Sequence, residues 1–265
     1  MLEHYHMQDS KSMDTFVDKS LSLSRDICPK TPEEKKKKMS RVSYVSAVGS
    51  LMYAMMCTCP DICYAVGLVS RYQSNPGQKH WIAVKRILRY LKGTSDYMLC
   101  YQEKKDLRLI GYSDVDWESD IDQSKSTLGY AFLLNNSVIL WSRKKQFCVA
   151  LFTMEAEYVA CSTATQDDVW LKNFLKHLEI VKRTLEPVTI FCDNSITLVV
   201  AKDPKYHGKT KHIKKRYHYI RDAIIEKDVV LKHISTSNMV ADPLTKPIAR
   251  DVFVKHVRSL GLSRM

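Results

Sequence analysis

The chain has 265 residues, of which 45% are hydrophobic and 26% are charged. This composition is typical of folded globular proteins and excludes the disordered and fibrous classes. The formal net charge of +12 favours a polyanionic partner, because Lys and Arg displace counterions from phosphates. The longest apolar run, residues 45–57, is too short to span a bilayer, and the N-terminus lacks a signal-peptide pattern. We therefore expect no membrane partner and an intracellular protein, in a cytoplasmic particle or in the nucleus.

The eight cysteines are scattered through apolar stretches of a chain without a secretory signal. This distribution predicts free thiols rather than disulfides. Cys57, Cys59 and Cys63 have neither CxxC spacing nor a matching second pair, so we expect no zinc site there.

The N-terminal part divides into an arm and a helical unit. Residues 1–42 are polar, contain a run of lysines and show no sustained period, which predicts a mobile arm. Small and apolar residues follow up to Arg71 and predict a helical hairpin, whose second helix begins near Asp61. Residues 79–92 predict a basic amphipathic helix, whose charged face is either solvated or in contact with phosphates. The helical unit thus covers residues 43–100.

After Asp96 the pattern changes to extended, and residues 101–262 form a predicted second domain. Strands are expected at 97–101, 107–114, 129–134, 137–141, 187–193 and 229–234, and helices at 153–178, 195–201 and 212–227, with a further helix near the C-terminus. The Asn135-Asn136 pair predicts a tight hairpin turn, because Asn tolerates positive φ. A strand–helix–strand unit after three antiparallel strands predicts an α/β fold with a mixed sheet.

One acid stands at each of four positions where this layout brings elements together. Asp114 and Asp193 end two strands, Glu157 lies on the first long helix, and Asp242 lies near the start of the last helix. Four converging carboxylates repel one another unless cations lie between them, and Mg²⁺ prefers carboxylate oxygens. We therefore predict that these four residues are metal ligands and catalytic residues. For Asp193 and Asp242, capping of the helix that follows remains the alternative.

Two of the acids have close neighbours that compete for the same role. Asp116 shares a strand face with Asp114, and Asp114 is preferred because the apolar strand ends there. Glu155 and Glu157 lie about 200° apart around a helix, so only one points at the site. If Thr153 is the N-cap, Glu155 falls in the first turn, where negative charge suits the helix dipole. Glu157 is therefore the predicted ligand.

Several motifs together resemble a known family. They are GYSDVDW, QSKSTLGYAFLL, WSRKKQ, VALFTMEAEYVA, IFCDNS, TKHIKKRYHYIRD and VADPLTKPI. In this order, over about residues 108–262, they resemble the ribonuclease H domain that closes the Pol polyprotein of copia-type long-terminal-repeat retrotransposons. The block at residues 44–94 resembles the segment between the polymerase active site of that polyprotein and its nuclease. The resemblance implies a ribonuclease H-like mixed sheet flanked by helices, with a small helical N-terminal appendage.

The resemblance also implies an activity, which is endonucleolytic cleavage of the RNA strand of RNA–DNA hybrids. In the implied mechanism Asp114 bridges two Mg²⁺ ions, or Mn²⁺ in their place, with Glu157 and Asp193 on one side and Asp242 on the other. Asn194 would meet a ribose 2′-hydroxyl. The other expected hybrid contacts are the loop residues Lys125, Ser126 and Thr127, and the outward-facing basic residues Lys211, Lys214 and Lys215.

Departures from the family pattern leave other functions open. The Tyr-x-Asp-Asp motif of the polymerase is absent, so no DNA synthesis is expected, and other parts of a Pol polyprotein are further candidate partners. The loop histidine that cellular ribonucleases H carry before the last acid has no counterpart at residues 235–238. The alternatives are a catalytically inactive nucleic-acid-binding remnant and a DNA strand-transfer enzyme of the transposase type.

Overall fold

The computed structural model describes residues 1–16, 23–39, 42–101, 107–179, 187–202 and 214–264. The helices are α1 (Pro32–Met39), α2 (Tyr44–Cys57), α3 (Cys63–Val69), α4 (Gln78–Gly93), α5 (Thr153–His177), α6 (Ser195–Lys202), α7 (Lys214–Ile225), α8 (Asp242–Thr245) and α9 (Arg250–Ser259). The strands are β1 (Tyr97–Leu99), β2 (Leu109–Asp120), β3 (Lys125–Leu134), β4 (Ser137–Lys145), β5 (Val188–Cys192), β6 (Val229–His233) and β7 (Leu262–Arg264).

Among the described residues, five strands form the central sheet, in the order β4-β3-β2-β5-β6. Strands β2, β3 and β4 pair antiparallel, whereas β5 pairs in parallel with both β2 and β6. Asn135 and Asn136 form the turn between β3 and β4 with φ angles of 52° and 66°, as predicted for this pair. The predicted α/β class is confirmed, and so is the mixed sheet of three antiparallel strands followed by parallel ones.

Helix α5 spans 25 residues and packs against the central sheet. Ala156, Ala160 and Ala164 recur every four residues and are fully buried, so a stripe of small side chains faces the core. Tyr130, Phe132 and Ile190 lie in the same buried cluster. This packing holds the first turns of α5 close to Asp114 of β2 and to the end of β5. Among the described residues, no helix is both long and apolar enough to cross a membrane.

Residues 1–42 are expected to be mobile, and the structure corrects this for the parts it describes. Arg89 and Lys92 of α4 donate hydrogen bonds to the backbone carbonyls of Gln8, Ser10 and Lys11. Four side chains of this region are buried against the helical unit: Met7, Phe16, Leu23 and Met39. Two basic residues of α4 thus bind the chain's own backbone, an interaction between distant segments that local sequence patterns do not reveal.

The proposed boundary near residue 100 crosses a shared hydrophobic core. Phe253 and Val257 of α9 and Leu262 of β7 lie in the same buried cluster as helices α2, α3 and α4. Strand β7 also pairs antiparallel with β1. The C-terminal elements therefore pack on the helical unit, and the division at residues 43–100 and 101–262 remains a proposal.

A buried ion pair links the helical unit to the sheet. Asp120 is 1% exposed and contacts Arg71, at 3.3 Å from Nη1 to Oδ1, and Lys145. Burial raises the pKa of Asp120, but the hydrogen bond from Lys145 and the charges of Arg71 and Lys145 outweigh it. The pKa is consequently held below its ordinary value of 3.8. A carboxyl group with a lowered folded-state pKa stabilises the fold above its unfolded-state pKa, and this contribution is lost as the pH falls through the folded-state pKa.

Substitution of Asp120 tests this link. Asp120→Asn should lower the free energy of unfolding at pH 7 by roughly 1–3 kcal/mol, because Arg71 and Lys145 lose their charged partner. The difference from the parent protein should shrink in urea titrations below about pH 4. As a control, Asp251→Asn, on the exposed face of α9, should change stability by less than about 0.5 kcal/mol. Equal stability of Asp120→Asn and the parent at pH 7 would contradict the link.

Candidate active site

Four carboxylates converge at the end of the sheet where β2 and β5 separate. These strands pair in parallel from Ile110 opposite Thr189 to Tyr112 opposite Phe191. Asp114 and Asp193 each follow that last pair by two residues, one on each chain segment. The electrostatic neighbours of Asp114 are Lys246, Asp242 and Asp193, and Glu157 interacts in turn with Asp114 and Asp193. All four predicted acids therefore lie in one cluster.

Asp114 and Asp116 were both candidates for the metal ligand on β2, and the structure distinguishes them by a feature other than the expected strand end. The sequence predicts that the strand ends at Asp114, but β2 continues to Asp120, so that reason is wrong. What distinguishes Asp114 is its place just beyond the parallel pairing with β5, where it is 1% exposed. Asp116 instead lies near Tyr64 and Arg143, on the side of the helical unit.

The two glutamates at the start of α5 have different surroundings. Phe152, rather than Thr153, occupies the N-cap position, and no side chain caps the helix there. The carboxylate of Glu155 accepts a hydrogen bond of 2.8 Å from the backbone N–H four residues earlier. Glu157 is 3% exposed, and its Oε2 lies 3.8 Å from the Cys192 thiol. Burial, followed by the neighbouring Cys192 and acidic groups, raises the pKa of Glu157 well above its ordinary value.

The short helix α8 and the residue that follows it bring three polar side chains to Asp114. The hydroxyl of Thr245 donates a hydrogen bond to Asp114 Oδ2. Lys246 Nζ lies 3.4 Å from Asp114 Oδ1 and 3.0 Å from Asp242 Oδ1. Asp242 occupies the first turn of α8 without a side-chain capping bond, so the capping alternative is not observed. Sequence reasoning assigned no role to Thr245 or Lys246, although Lys246 lies four residues after Asp242, a spacing that favours contact on a helix.

One lysine does not offset the negative charge of this cluster. Burial raises the pKa of Asp114 to about 7, with Lys246 opposing the shift and Asp242 adding to it. Burial also raises the pKa of Asp242, again against the charge of Lys246. For Lys246 itself burial lowers the pKa, but the two aspartates outweigh burial and hold it above its ordinary value. Oxygen donors with excess negative charge are the set that Mg²⁺ prefers, so the residues present fit divalent cations.

Asp193 is the most accessible of the four acids. Its Oδ2 accepts a hydrogen bond of 2.8 Å from Thr236 Oγ1, and its backbone oxygen lies 3.1 Å from His233 Nε2. The helix that follows is capped by Asn194, whose Oδ1 accepts a bond of 3.1 Å from the N–H of Thr197. Asp193 is therefore not used as a cap. His233 was not predicted from the sequence, because a histidine was expected in the loop at residues 235–238, whereas His233 is the last residue of β6.

The structure corrects the placement of the expected hybrid contacts. Lys125, Ser126 and Thr127 begin β3 instead of lying in a loop. Ser126 and Thr127 are 1% and 0% exposed, so their side chains do not reach an outside ligand. Lys211 lies outside the described residues. So do the side chains of Lys214 and Lys215 at the start of α7.

The chain as a whole is similar in sequence to Pol polyproteins of plant transposons. No family model matches the chain. It is 44% identical, over 253 residues, to the retrovirus-related Pol polyprotein from transposon TNT 1-94 of Nicotiana tabacum. This alignment covers 96% of the present chain and 19% of the polyprotein. It is 37% identical, over 222 residues, to the Pol polyprotein from transposon RE2 of Arabidopsis thaliana, which covers 84% of this chain and 15% of that protein. The chain thus spans less than a fifth of the length of both relatives.

A solved structure is similar to part of the chain. The crystal structure of LC11-RNase H1 in complex with RNA/DNA hybrid is 19% identical to it. The superposition has a TM-score of 0.37 and covers 52% of this chain and 94% of that one.

A glycine allows α8 to approach the sheet. Gly129 of β3 is paired with Asp114 of β2. A Cβ atom at Gly129 would lie 2.6 Å from Thr245 Cγ2 and 3.1 Å from Leu244 Cβ. The first distance is shorter than atoms tolerate, so a side chain at this position would push α8 away from Asp114.

Gly129→Ala should therefore disturb the site through packing alone. We expect a loss of roughly 1–3 kcal/mol in the free energy of unfolding, because α8 is displaced, and a smaller rise in unfolding temperature on addition of Mg²⁺. Gly49→Ala is the matched control, since a Cβ there meets no atom within 4 Å. That change, within α2, should leave stability unchanged or improve it slightly. A parent-like response of Gly129→Ala to Mg²⁺ would contradict the role of the close approach.

Proposed function

The chain belongs to the Pol polyproteins of copia-type long-terminal-repeat retrotransposons, and on this basis we propose that it is a ribonuclease H-type endonuclease. Its substrate is the RNA strand of RNA–DNA hybrids. The observation that carries the proposal is the convergence of Asp114, Glu157, Asp193 and Asp242, from four different elements, at the point where β2 and β5 separate. Buried carboxylates in such a cluster have more negative charge than Lys246 offsets.

These four acids would hold two Mg²⁺ ions, with Mn²⁺ as a substitute. Asp114 would contribute to holding both ions, Glu157 and Asp193 to holding one, and Asp242 to holding the other. Bound ions of this kind activate water and stabilise the leaving oxygen in phosphodiester hydrolysis, here giving a 5′-phosphate and a 3′-hydroxyl.

The neighbouring side chains orient the acids. Thr245 holds one oxygen of Asp114, which fixes the direction of the other. Thr236 does the same for Asp193. Lys246 lies between Asp114 and Asp242 and lowers their mutual repulsion, so that the carboxylates stay together before cations bind.

The direct test is a cleavage assay with the purified chain. Labelled RNA–DNA hybrid, single-stranded RNA and duplex DNA are incubated with Mg²⁺ or with a chelator. We expect cleavage of the RNA strand in the hybrid alone, and only with the cation. Hybrid binding without cleavage would support the inactive remnant, and joining of DNA strands would support the transposase-type enzyme.

The neighbouring acids Glu155 and Glu157 allow a matched pair of variants to test which residues bind the metal ions. Glu157→Gln and Asp193→Asn should each abolish hybrid cleavage, because they remove a ligand charge at nearly constant volume. Glu155→Gln should keep activity and lose a few tenths to about 1 kcal/mol of stability, since its role is at the helix start. Circular dichroism confirms that each variant is folded. Loss of activity in Glu155→Gln with retention in Glu157→Gln would assign the ligand two residues earlier.

The basic segment before and within α7 is proposed to contact the hybrid backbone. Replacing Lys211, Lys214 and Lys215 with Gln should weaken hybrid binding at low salt, and should make the salt dependence shallower by roughly one log-log unit per lost phosphate contact. Replacing Lys35, Lys36 and Lys37 with Gln removes the same charge elsewhere and serves as the control. Equal effects of the two triple variants would mean that only net charge matters.

A further inference from the structure

At one corner of the carboxylate cluster a thiol lies beside the acids. Cys192 ends β5, is fully buried, and immediately precedes Asp193. Single ligand atoms of Glu157, Cys192 and Asp193 all lie within 4.8 Å of one another. The Cys161 thiol of α5 lies within hydrogen-bonding reach of Cys192, so a second thiol adjoins this group.

The spacing of these sulfur and oxygen atoms suits a metal ion with tetrahedral coordination. Zinc–sulfur and zinc–oxygen bonds of the usual lengths place the two ligand atoms about 3.5 Å apart. Cys192 Sγ lies 3.8 Å from Glu157 Oε2, so a movement of a few tenths of an ångström closes the site. The backbone N–H of Asn194 donates to the same sulfur at 3.5 Å, and hydrogen bonds of this kind orient a ligand atom.

A second observation points to a cation at this corner rather than to simple packing. The Glu157 carboxylate is more than nine-tenths buried, and within the described residues its hydrogen bond comes from a thiol, which is a weak donor. A buried carboxylate with so weak a partner carries a desolvation cost that a bound cation removes. Magnesium satisfies the carboxylates but not the sulfur, whereas zinc-like ions accept both.

We propose that Cys192, Glu157 and Asp193 form a site for a thiophilic divalent cation such as Zn²⁺, with Cys161 as the nearest further ligand. On binding, the Cys192 proton passes to solvent as the metal–sulfur bond forms. Because Glu157 and Asp193 also belong to the proposed Mg²⁺ site, such an ion would exclude Mg²⁺ from this side. Only that last consequence rests on the proposed function.

Cobalt(II) is a suitable probe, because its thiolate complexes absorb in the near ultraviolet through sulfur-to-metal charge transfer. The reduced, metal-free chain is titrated with Co²⁺, and Zn²⁺ is then added to displace it. We expect a saturable charge-transfer band in the parent protein that disappears with Zn²⁺. The band should persist in Cys63→Ser, a control at a buried thiol of α3, and be absent from Cys192→Ser and Cys192→Ala.

A parent protein without the band, or equal bands in the parent and in both Cys192 variants, would overturn the proposal. Should neither Cys192 variant fold, Glu157→Gln supplies the test, because it keeps the thiol and should bind Co²⁺ more weakly. Unchanged Co²⁺ affinity in that variant would equally overturn it. These readouts need no turnover, so their failure leaves the proposed nuclease function standing.

Discussion

Burial of like charges is the constraint on which the rest of this structure depends. Asp114, Glu157 and Asp242 are each 3% exposed or less, and they interact electrostatically within one cluster together with Asp193. Removing carboxylates from water costs several kcal/mol each unless partners compensate. The partners present, chiefly Lys246, compensate in part, and the pKa of Asp114 still rises to about 7. The fold therefore concentrates negative charge at one end of the sheet, where divalent cations would lower its free energy.

The surrounding elements hold this arrangement from several sides. Parallel pairing of β2 with β5 aligns Asp114 and Asp193, which both follow the last residue pair, and Gly129 leaves room for α8 to bring a third aspartate. Behind α8, Cys63 of α3 lies in a buried cluster with Met239 and Leu244. The helical unit thus supports the helix that carries Asp242, although it contributes none of the four acids. Removal of the helical unit is consequently expected to alter the site as well as the stability.

The parts of the molecule that could be predicted from sequence are those set by local patterns. The extended segments, the Asn135-Asn136 turn and the strand–helix–strand unit predicted the mixed sheet, and each of the four acids is positioned by its own element. The full length of β2 was missed because its second half is polar, and the same error placed Thr127 in a loop although it is buried. The contact of Lys246 with Asp114 joins residues 132 positions apart, and the docking of the arm on α4 is likewise long-range. Neither contact produces a periodic pattern of residues in the sequence.

We propose that the carboxylates of Asp114, Glu157, Asp193 and Asp242 together bind two divalent cations. Crystals of the chain grown with Mn²⁺ and an RNA–DNA hybrid carrying a non-cleavable linkage would test it through anomalous diffraction at the manganese edge. We predict two anomalous peaks about 4 Å apart, both within bonding distance of Asp114, with Glu157 and Asp193 on one side and Asp242 on the other. Peaks located elsewhere, or none within reach of these residues at saturating Mn²⁺, would contradict it.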